Sequence, residues 1–203
     1  MAVDLLSLNP ELKIIDSSDV LETDYSPEEL WLNPSSLLMM AQNIRIGLEE
    51  YVTSKYLIDD IDEQYEKLKI TLSELDANYR ITVENTTNKN IVVDNSALKY
   101  LEKFGLKVYC IDGDATDKTI SDVEELIENK EINYIYSFKN DTLSDNAKKI
   151  LEDYPDIKNQ QLHRLDNISD TERSEKKDYE QIITENLELL KQKYNCIFCK
   201  YRK

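Results

Sequence analysis

Residues 81–194 alternate short apolar runs with amphipathic segments, and this alternation restricts the fold more than any other feature of the chain. Each apolar run is followed by apolar residues at the three- and four-residue spacing of a helix. Strands that alternate with helices form a parallel sheet with helices on both faces, joined by right-handed crossovers. The pattern therefore predicts an α/β fold with a parallel four-stranded sheet, whose candidate strands are Ile91–Val93, Lys107–Ile111, Tyr134–Phe138 and Gln161–Leu165.

Helix ends in this half carry local signals. Ser96 to Phe104 is a candidate helix closed by Gly105, which can adopt the left-handed cap conformation. A capping-box pattern at Ser121–Glu124 predicts the start of a second helix. A third helix should stop at Pro155. The charged segment from Asp166 to Asp178 lacks periodicity and is predicted to be a mobile loop that precedes the last helix.

The first 80 residues predict one short strand and two helices. Leu12–Asp16 is the strand candidate. Asn33 can cap a helix that has Pro34 at its first position, where the missing N–H costs nothing. A longer helix is predicted from Ser54 to Tyr79, since its narrow apolar stripe suits a rod packed on one side.

Composition excludes several classes of function. A net charge of −16 over 203 residues would repel nucleic acid and an anionic membrane surface. No apolar run is long enough to span a bilayer, and no signal segment is recognisable. Three cysteines are too few for a disulfide framework, and Cys196 and Cys199 lack the second pair of a zinc site. No phosphate-binding, nucleophile-elbow or zinc-protease motif occurs, which predicts that the chain is not an enzyme.

Three ordered motifs resemble those of a known family. They are Ser26-Pro-Glu-Glu-Leu-Trp-Leu-Asn-Pro34, Asn95-Ser-Ala-Leu-Lys-Tyr-Leu-Glu-Lys-Phe-Gly-Leu106, and Tyr179 followed by Asn186-Leu187 and Leu190. Together they resemble the solute-binding proteins of zinc and manganese ABC transporters, a two-lobed family. This resemblance implies that residues 1–53 are a remnant of the amino-terminal lobe, 54–80 the connecting rod helix, and 81–203 the carboxy-terminal α/β lobe.

The resemblance also implies a metal site, but its histidines are replaced. The family histidine before the tryptophan aligns with Glu29, and the next histidine aligns with Asn95. A further ligand position falls at or near Phe138, with Asp141 close by but out of register, and the last acidic position falls at Asp166. Glu29, Asn95 and Asp166 would form an oxygen site, which is poorly suited to zinc. The alternatives are exposed loop carboxylates for Glu29 and Asp166 and a helix cap for Asn95.

Function and partners follow from the same resemblance. The leading hypothesis is a metal ABC transporter solute-binding component with a degraded site, which binds zinc or manganese weakly or not at all. It would be extracellular, at the cell surface, and would have a membrane ABC permease as its partner. The alternative is a non-transporting cell-surface interaction or adhesion module that reuses the fold without metal. Apolar side chains from Leu5 to Leu48 and on the rod helix, left uncovered by the reduced first lobe, predict a possible homodimer or a missing partner lobe. The single histidine, His163, matches no ligand position and is predicted to be structural.

Overall fold

The computed structural model describes residues 2–198 and the side chains of residues 5–191. Eight α-helices are present in this range, together with one 3₁₀ segment, Ser96–Phe104. The helices are α1 Ala2–Leu8, α2 Glu29–Leu32, α3 Pro34–Tyr51, α4 Lys55–Glu84, α5 Asp117–Glu128, α6 Asp145–Asp153, α7 Asp170–Ser174 and α8 Tyr179–Phe198. The strands are β1 Asn90–Val93, β2 Lys107–Cys110, β3 Tyr134–Phe138 and β4 Lys158–Leu162. None of the helices described combines the length and the apolarity needed to cross a bilayer.

The four strands form one parallel sheet in the order β2-β1-β3-β4. Val92 of β1 lies opposite Tyr109 on one side and Ile135 on the other, which fixes the register of the three strands. The two central strands, β1 and β3, carry continuous buried runs that are mostly apolar, as expected where helices cover both faces. The predicted fold class is confirmed.

Two apolar layers flank the sheet. On one face, Leu72, Tyr79 and Val83 of α4 pack with the 3₁₀ segment and α8 against β1 and β3. On the other face, Val123 of α5 and Ile150 of α6 pack with the opposite side of the same strands. Alternate residues of β1 enter opposite layers, since successive side chains of a strand point to opposite faces.

The rod helix is present and extends beyond its predicted end. It runs to Glu84, five residues past Tyr79, because Val83 is buried against the lobe and continues the apolar stripe. It packs against α3, and polar bonds join the two helices. Arg45 Nε lies 2.6 Å from Asp62 Oδ1, and Ser35 Oγ donates to Asp76 Oδ1 at 2.6 Å.

The strand predicted at Leu12–Asp16 is wrong, because this segment has no strand partner and forms no regular structure. It lies along α3 instead. The Asn43 amide donates to the carbonyl oxygens of Ser17 and Asp19. Ile15 lies so close to Gly47 that an added Cβ would be 2.7 Å from the Ile15 Cγ2 atom, so this contact requires glycine.

Helix caps are confirmed in part. The Asn33 side chain accepts from Ser35 N–H at 3.1 Å, with Pro34 at the first helical position, and Gly105 has the left-handed φ of 93°. The capping box predicted at Ser121 is wrong. Helix α5 begins one turn earlier, because the Thr116 hydroxyl accepts from the Thr119 N–H and provides the cap.

The last predicted strand is shifted. β4 spans Lys158–Leu162 rather than Gln161–Leu165, because Leu165 has a positive φ of 64° that cannot continue an extended strand. The prediction of a mobile loop at Asp166–Asp178 is also wrong in part, because Asp170–Ser174 form the short helix α7. Ser169 and Glu172 form a complete capping box at its start, an S-x-x-E pattern that is visible in the sequence.

Candidate functional site

A cavity of about 260 Å³ opens beyond the carboxyl ends of β3 and β4. Parallel α/β sheets bind ligands at this edge, because the loops that leave the strands converge there. Lys139 N–H donates to the Leu162 carbonyl at 2.8 Å, so the two loops start side by side. The cavity is lined by polar residues, namely Lys139, Asn140, Asp141, His163, Arg164, Asp166, Asn167, Ser169 and Glu172.

An arginine–carboxylate pair lies at the centre of this cavity wall. The Arg164 guanidinium donates to Asp141 Oδ2, and the same oxygen accepts from the Asn95 amide at 3.3 Å. The guanidinium carbon also lies 4.8 Å from the centre of the Phe138 ring. The pair therefore joins the loops after β1, β3 and β4 into one network.

The backbone beside Arg164 is fixed from two sides. Asn186 of α8 is buried, and its amide accepts from His163 N–H and donates to the His163 carbonyl, both at 2.8 Å. The Trp31 indole donates to the Arg164 carbonyl at 3.1 Å, and the Tyr179 hydroxyl donates to the Trp31 carbonyl at 2.7 Å. Two of the three sequence motifs thus meet at the end of β4.

His163 is buried, and its ring contacts the backbone of Leu165 and the side chain of Glu172. Leu165 N–H donates to His163 Nδ1 at 2.8 Å, so the neutral ring carries its proton on Nε2. His163 Nε2 lies 3.4 Å from Glu172 Oε1 and holds α7 against the cavity.

The Glu172 carboxylate is stabilised in its charged form. Hydrogen bonds from the Ser169 hydroxyl at 2.6 Å and from the Ser169 N–H at 2.9 Å lower the pKa of Glu172 to about 2. Because this value lies below the ordinary 4.5, Glu172 contributes stability above pH 4.5 and loses it as the pH falls toward 2.

Replacing Ser169 with alanine should raise the pKa of Glu172 toward its ordinary value, because the larger of the two hydrogen bonds disappears. An NMR titration of the Glu172 carboxyl carbon measures the change. Ser174→Ala is the matched control, because the Ser174 hydroxyl donates to the Thr171 carbonyl and not to Glu172. An unchanged Glu172 pKa in Ser169→Ala would contradict the assigned cause.

Glu29 lies apart from this cavity and is buried, so the reading of it as an exposed loop carboxylate is wrong. Its Oε2 atom is 2.9 Å from Lys103 Nζ, and its Oε1 atom accepts from Tyr25 N–H at 2.5 Å and Ser26 N–H at 3.2 Å. Burial acts to raise the pKa of Glu29, but the hydrogen bonds from Lys103, Tyr25 and Ser26 outweigh it and the net pKa is lowered. The carboxylate therefore stays charged and paired.

Asn95 and Asp166 have different surroundings. The Asn95 side chain accepts from Ala97 N–H at 2.9 Å and caps the 3₁₀ segment, so its oxygen already has a partner. Asp166 is exposed at the cavity rim, four residues beyond the end of β4. Within the part of the chain that the structure describes, no three His, Cys, Asp or Glu side chains are grouped so that they could hold a metal. Glu29, Asn95 and Asp166 thus do not fit a zinc ion as they stand.

Sequence reasoning missed two cations, Lys103, which pairs with Glu29, and Arg164, which pairs with Asp141. Both belong to segments with clear local signals, but their partners come from other elements, so spacing along the chain does not reveal the pairs. In the sequence, Asp141 lies out of register with the ligand position at Phe138. In the structure it reaches the cavity because Asn140, at a left-handed φ of 67°, turns the chain after β3.

The cysteines show no sign of reactivity within the described side chains. Burial raises the pKa of the Cys110 thiol to about 12. The Cys196–Cys199 pair lies outside the residues whose side chains are described.

Comparison with known proteins identifies the family. The family model described as zinc-uptake complex component A, periplasmic (ZnuA), matches residues 4–193. The zinc-binding protein AdcA of Streptococcus pyogenes serotype M6 is 26% identical over 170 residues, which is 80% of this chain and 32% of the relative. The chain therefore spans about a third of the length of that relative.

Solved structures show the same fold. The Zn(II)-bound ZnuA-like domain of Streptococcus pneumoniae AdcA superposes with a TM-score of 0.69 at 20% identity, covering 96% of this chain and 75% of that domain. The laminin-binding protein Lbp of Streptococcus pyogenes gives a TM-score of 0.67 at 20% identity, covering 88% of this chain and 70% of that protein. Because the family model spans nearly the whole chain, this protein belongs to the ZnuA family, whose members are solute-binding proteins rather than enzymes.

Proposed function

We propose that this chain is a solute-binding component of a metal ABC transporter in which the metal site is degraded. Its cargo class is zinc or manganese, its partner is a membrane ABC permease, and its location is the cell surface. The division into residues 1–53, 54–80 and 81–203 belongs to the same proposal. The observation that supports it best is the buried Glu29–Lys103 pair, because a lysine at 2.9 Å leaves this carboxylate, at a family ligand position, no free charge for a metal.

We expect the isolated chain to bind zinc more weakly than a Kd of about 1 µM, since a site built of oxygen donors alone lacks the imidazole or thiolate ligands of tight zinc sites and no histidine aligns with a ligand position. Titration calorimetry at pH 7 tests this expectation, with manganese titrated in parallel. The comparison variants are Glu29→Gln and Asp166→Asn, which remove charge and keep shape. Submicromolar zinc affinity that both variants abolish would overturn the degraded site.

A non-transporting interaction or adhesion module is the second candidate. The specific observation in its favour is that Lys103 and Arg164 satisfy Glu29 and Asp141 internally, so the lobe needs no metal for charge balance. Growth of a deletion strain of the host in chelator-treated medium separates the two. A growth defect that added zinc or manganese reverses supports transport, and normal growth supports the interaction module.

A homodimer through α3 and the first half of α4 is part of the same proposal. The apolar stripe of α3 is only partly covered by the rest of the chain, since Ile44 is 41% exposed. Leu68 of the neighbouring helix α4 is 40% exposed. A groove of about 310 Å³ lies between the two helices. Its lining is mostly apolar, as in surfaces that associate, and includes Ala41, Ile44, Leu48, Ile61, Tyr65 and Leu68.

Light scattering across a concentration series should therefore show a concentration-dependent dimer. Leu68→Glu should give a monomer, because it places a charge in the groove, whereas Glu66→Gln, a neighbouring exposed residue, should leave the dimer intact. A wild-type chain that remains monomeric at millimolar concentration would contradict the proposed dimer. It would mean that the segment packed along α3 already covers enough of the apolar surface.

A further inference from the structure

Arg164 lies near three residues, Phe138, Asn95 and Asp166, that the sequence resemblance places at metal-ligand positions of the family. Its guanidinium stacks on Phe138, at one such position, with 4.8 Å between the guanidinium carbon and the ring centre. It is bonded to Asp141, which also binds Asn95, at a second position. Asp166, at the third, lines the same cavity. The Arg164 side chain therefore lies between these positions and lines the cavity that remains.

The Arg164 side chain is held in this place by its surroundings. Its backbone carbonyl accepts from the Trp31 indole, and the side chain is only partly exposed, at 27%. Arg164 Nε is buried and has no hydrogen-bond partner among the described residues. The position of the guanidinium over Phe138 therefore leaves one N–H without a hydrogen bond, which is uncommon for a buried polar group. A guanidinium stays charged at every physiological pH, and its flat face suits an aromatic ring.

A divalent cation in the same cavity would meet two obstacles. It would lie close to a permanent positive charge, and the repulsion between two such charges is strong near a partly buried site. It would also have to displace Arg164 from Asp141 before that carboxylate could serve as a ligand.

We infer that Arg164 is a tethered cation that takes the place of the divalent ion, and that its charge closes the cavity to metal. The inference rests on the proposed function, because the cavity is taken to correspond to the family's metal position. Once the guanidinium is removed, the cavity presents carboxylate oxygens from Asp141 and Asp166. Such a set suits a hard divalent cation such as Mn²⁺ better than zinc.

Arg164→Met tests the inference, because methionine keeps the stem and its contact with Phe138 but removes the charge. Arg164→Lys keeps the charge, and Arg173→Met removes an exposed arginine of α7 as the matched control. Each variant is titrated with MnCl₂, and electron paramagnetic resonance measures the loss of the free aqueous Mn²⁺ signal. We expect Arg164→Met to bind Mn²⁺ at least about tenfold more tightly than wild type, with Arg164→Lys and Arg173→Met unchanged.

The double variant Arg164→Met/Asp141→Asn should lose the gain, since it removes the carboxylate that the guanidinium releases. Circular dichroism confirms that each variant is folded. Equal Mn²⁺ binding by folded Arg164→Met and wild type would overturn the inference, and so would an equal gain in Arg164→Lys. Tight zinc binding by the wild type would instead overturn the degraded site, so the two failures are distinguishable.

Discussion

Replacing Lys103 with methionine is expected to lower the free energy of unfolding by about 3 kcal/mol at pH 7, because it leaves the buried Glu29 carboxylate without its cation. Methionine keeps the aliphatic stem, so the change isolates the charge. A loss of this size is a large share of the ~5–15 kcal/mol that stabilises an ordinary domain. Urea unfolding followed by circular dichroism measures it.

The control is Lys148→Met, which makes the same chemical change at a surface pair. Lys148 bonds to Asp145, whose side chain is 99% exposed, so its loss should leave the free energy of unfolding nearly unchanged. In the double variant Glu29→Gln/Lys103→Met, a neutral amide oxygen can still accept from Tyr25 and Ser26. Its destabilisation should therefore be smaller than the sum of the two single changes.

The pH dependence has a defined sign. The pKa of Glu29 is lowered in the folded protein, so the carboxylate contributes stability above its ordinary value of 4.5 and loses it as the pH falls through the lowered value. Without Lys103, burial should raise the pKa of Glu29 instead. The stability difference between wild type and Lys103→Met should then shrink as the pH is lowered from 7 to about 4. A difference that is constant over this range would contradict the pairing.

The fold could be predicted because its signals are local. Apolar periodicity placed the strands and α4, and cap chemistry placed the start of α3 at Asn33 and the turn at Gly105. The errors arose where tertiary contacts, and not local signals, determine the bounds of an element. Register against β3 sets the position of β4, and packing against α3 holds the segment at Leu12–Asp16 without a strand partner.

The site could be predicted only as a set of aligned positions. Strand periodicity predicts that Asn95 and Asp166 lie at the carboxyl ends of strands, where such sheets bind ligands, but it cannot show which charges are already neutralised. Lys103 extends from the 3₁₀ segment to Glu29 on α2, and Arg164 extends from the loop after β4 to Asp141 after β3. Such pairs depend on how the elements pack, and the sequence pattern contains no signal for that.

Asn186→Ala is expected to destabilise the protein by about 2–4 kcal/mol, because it leaves two buried backbone groups of His163 without partners. Truncating the side chain to a methyl group removes both bonds at once, and the site is too buried for water to replace them easily. The loss should also loosen the loop that positions Arg164. Urea unfolding measures the first effect, and faster hydrogen exchange of the His163 amide measures the second.

Asn146→Ala is the matched control for Asn186→Ala. The Asn146 amide makes one hydrogen bond, to the Asp112 carbonyl at 3.0 Å, from a half-buried position, so its loss should cost only about 1 kcal/mol. Asn186→Asp should be at least as harmful as Asn186→Ala, since it keeps the acceptor for His163 N–H but sets a second oxygen against the His163 carbonyl. If Asn186→Ala cost no more than Asn146→Ala, the connection between α8 and the cavity would be too weak to hold Arg164 over Phe138. The charge that closes the cavity would then depend on the Trp31 indole alone for the position of its backbone.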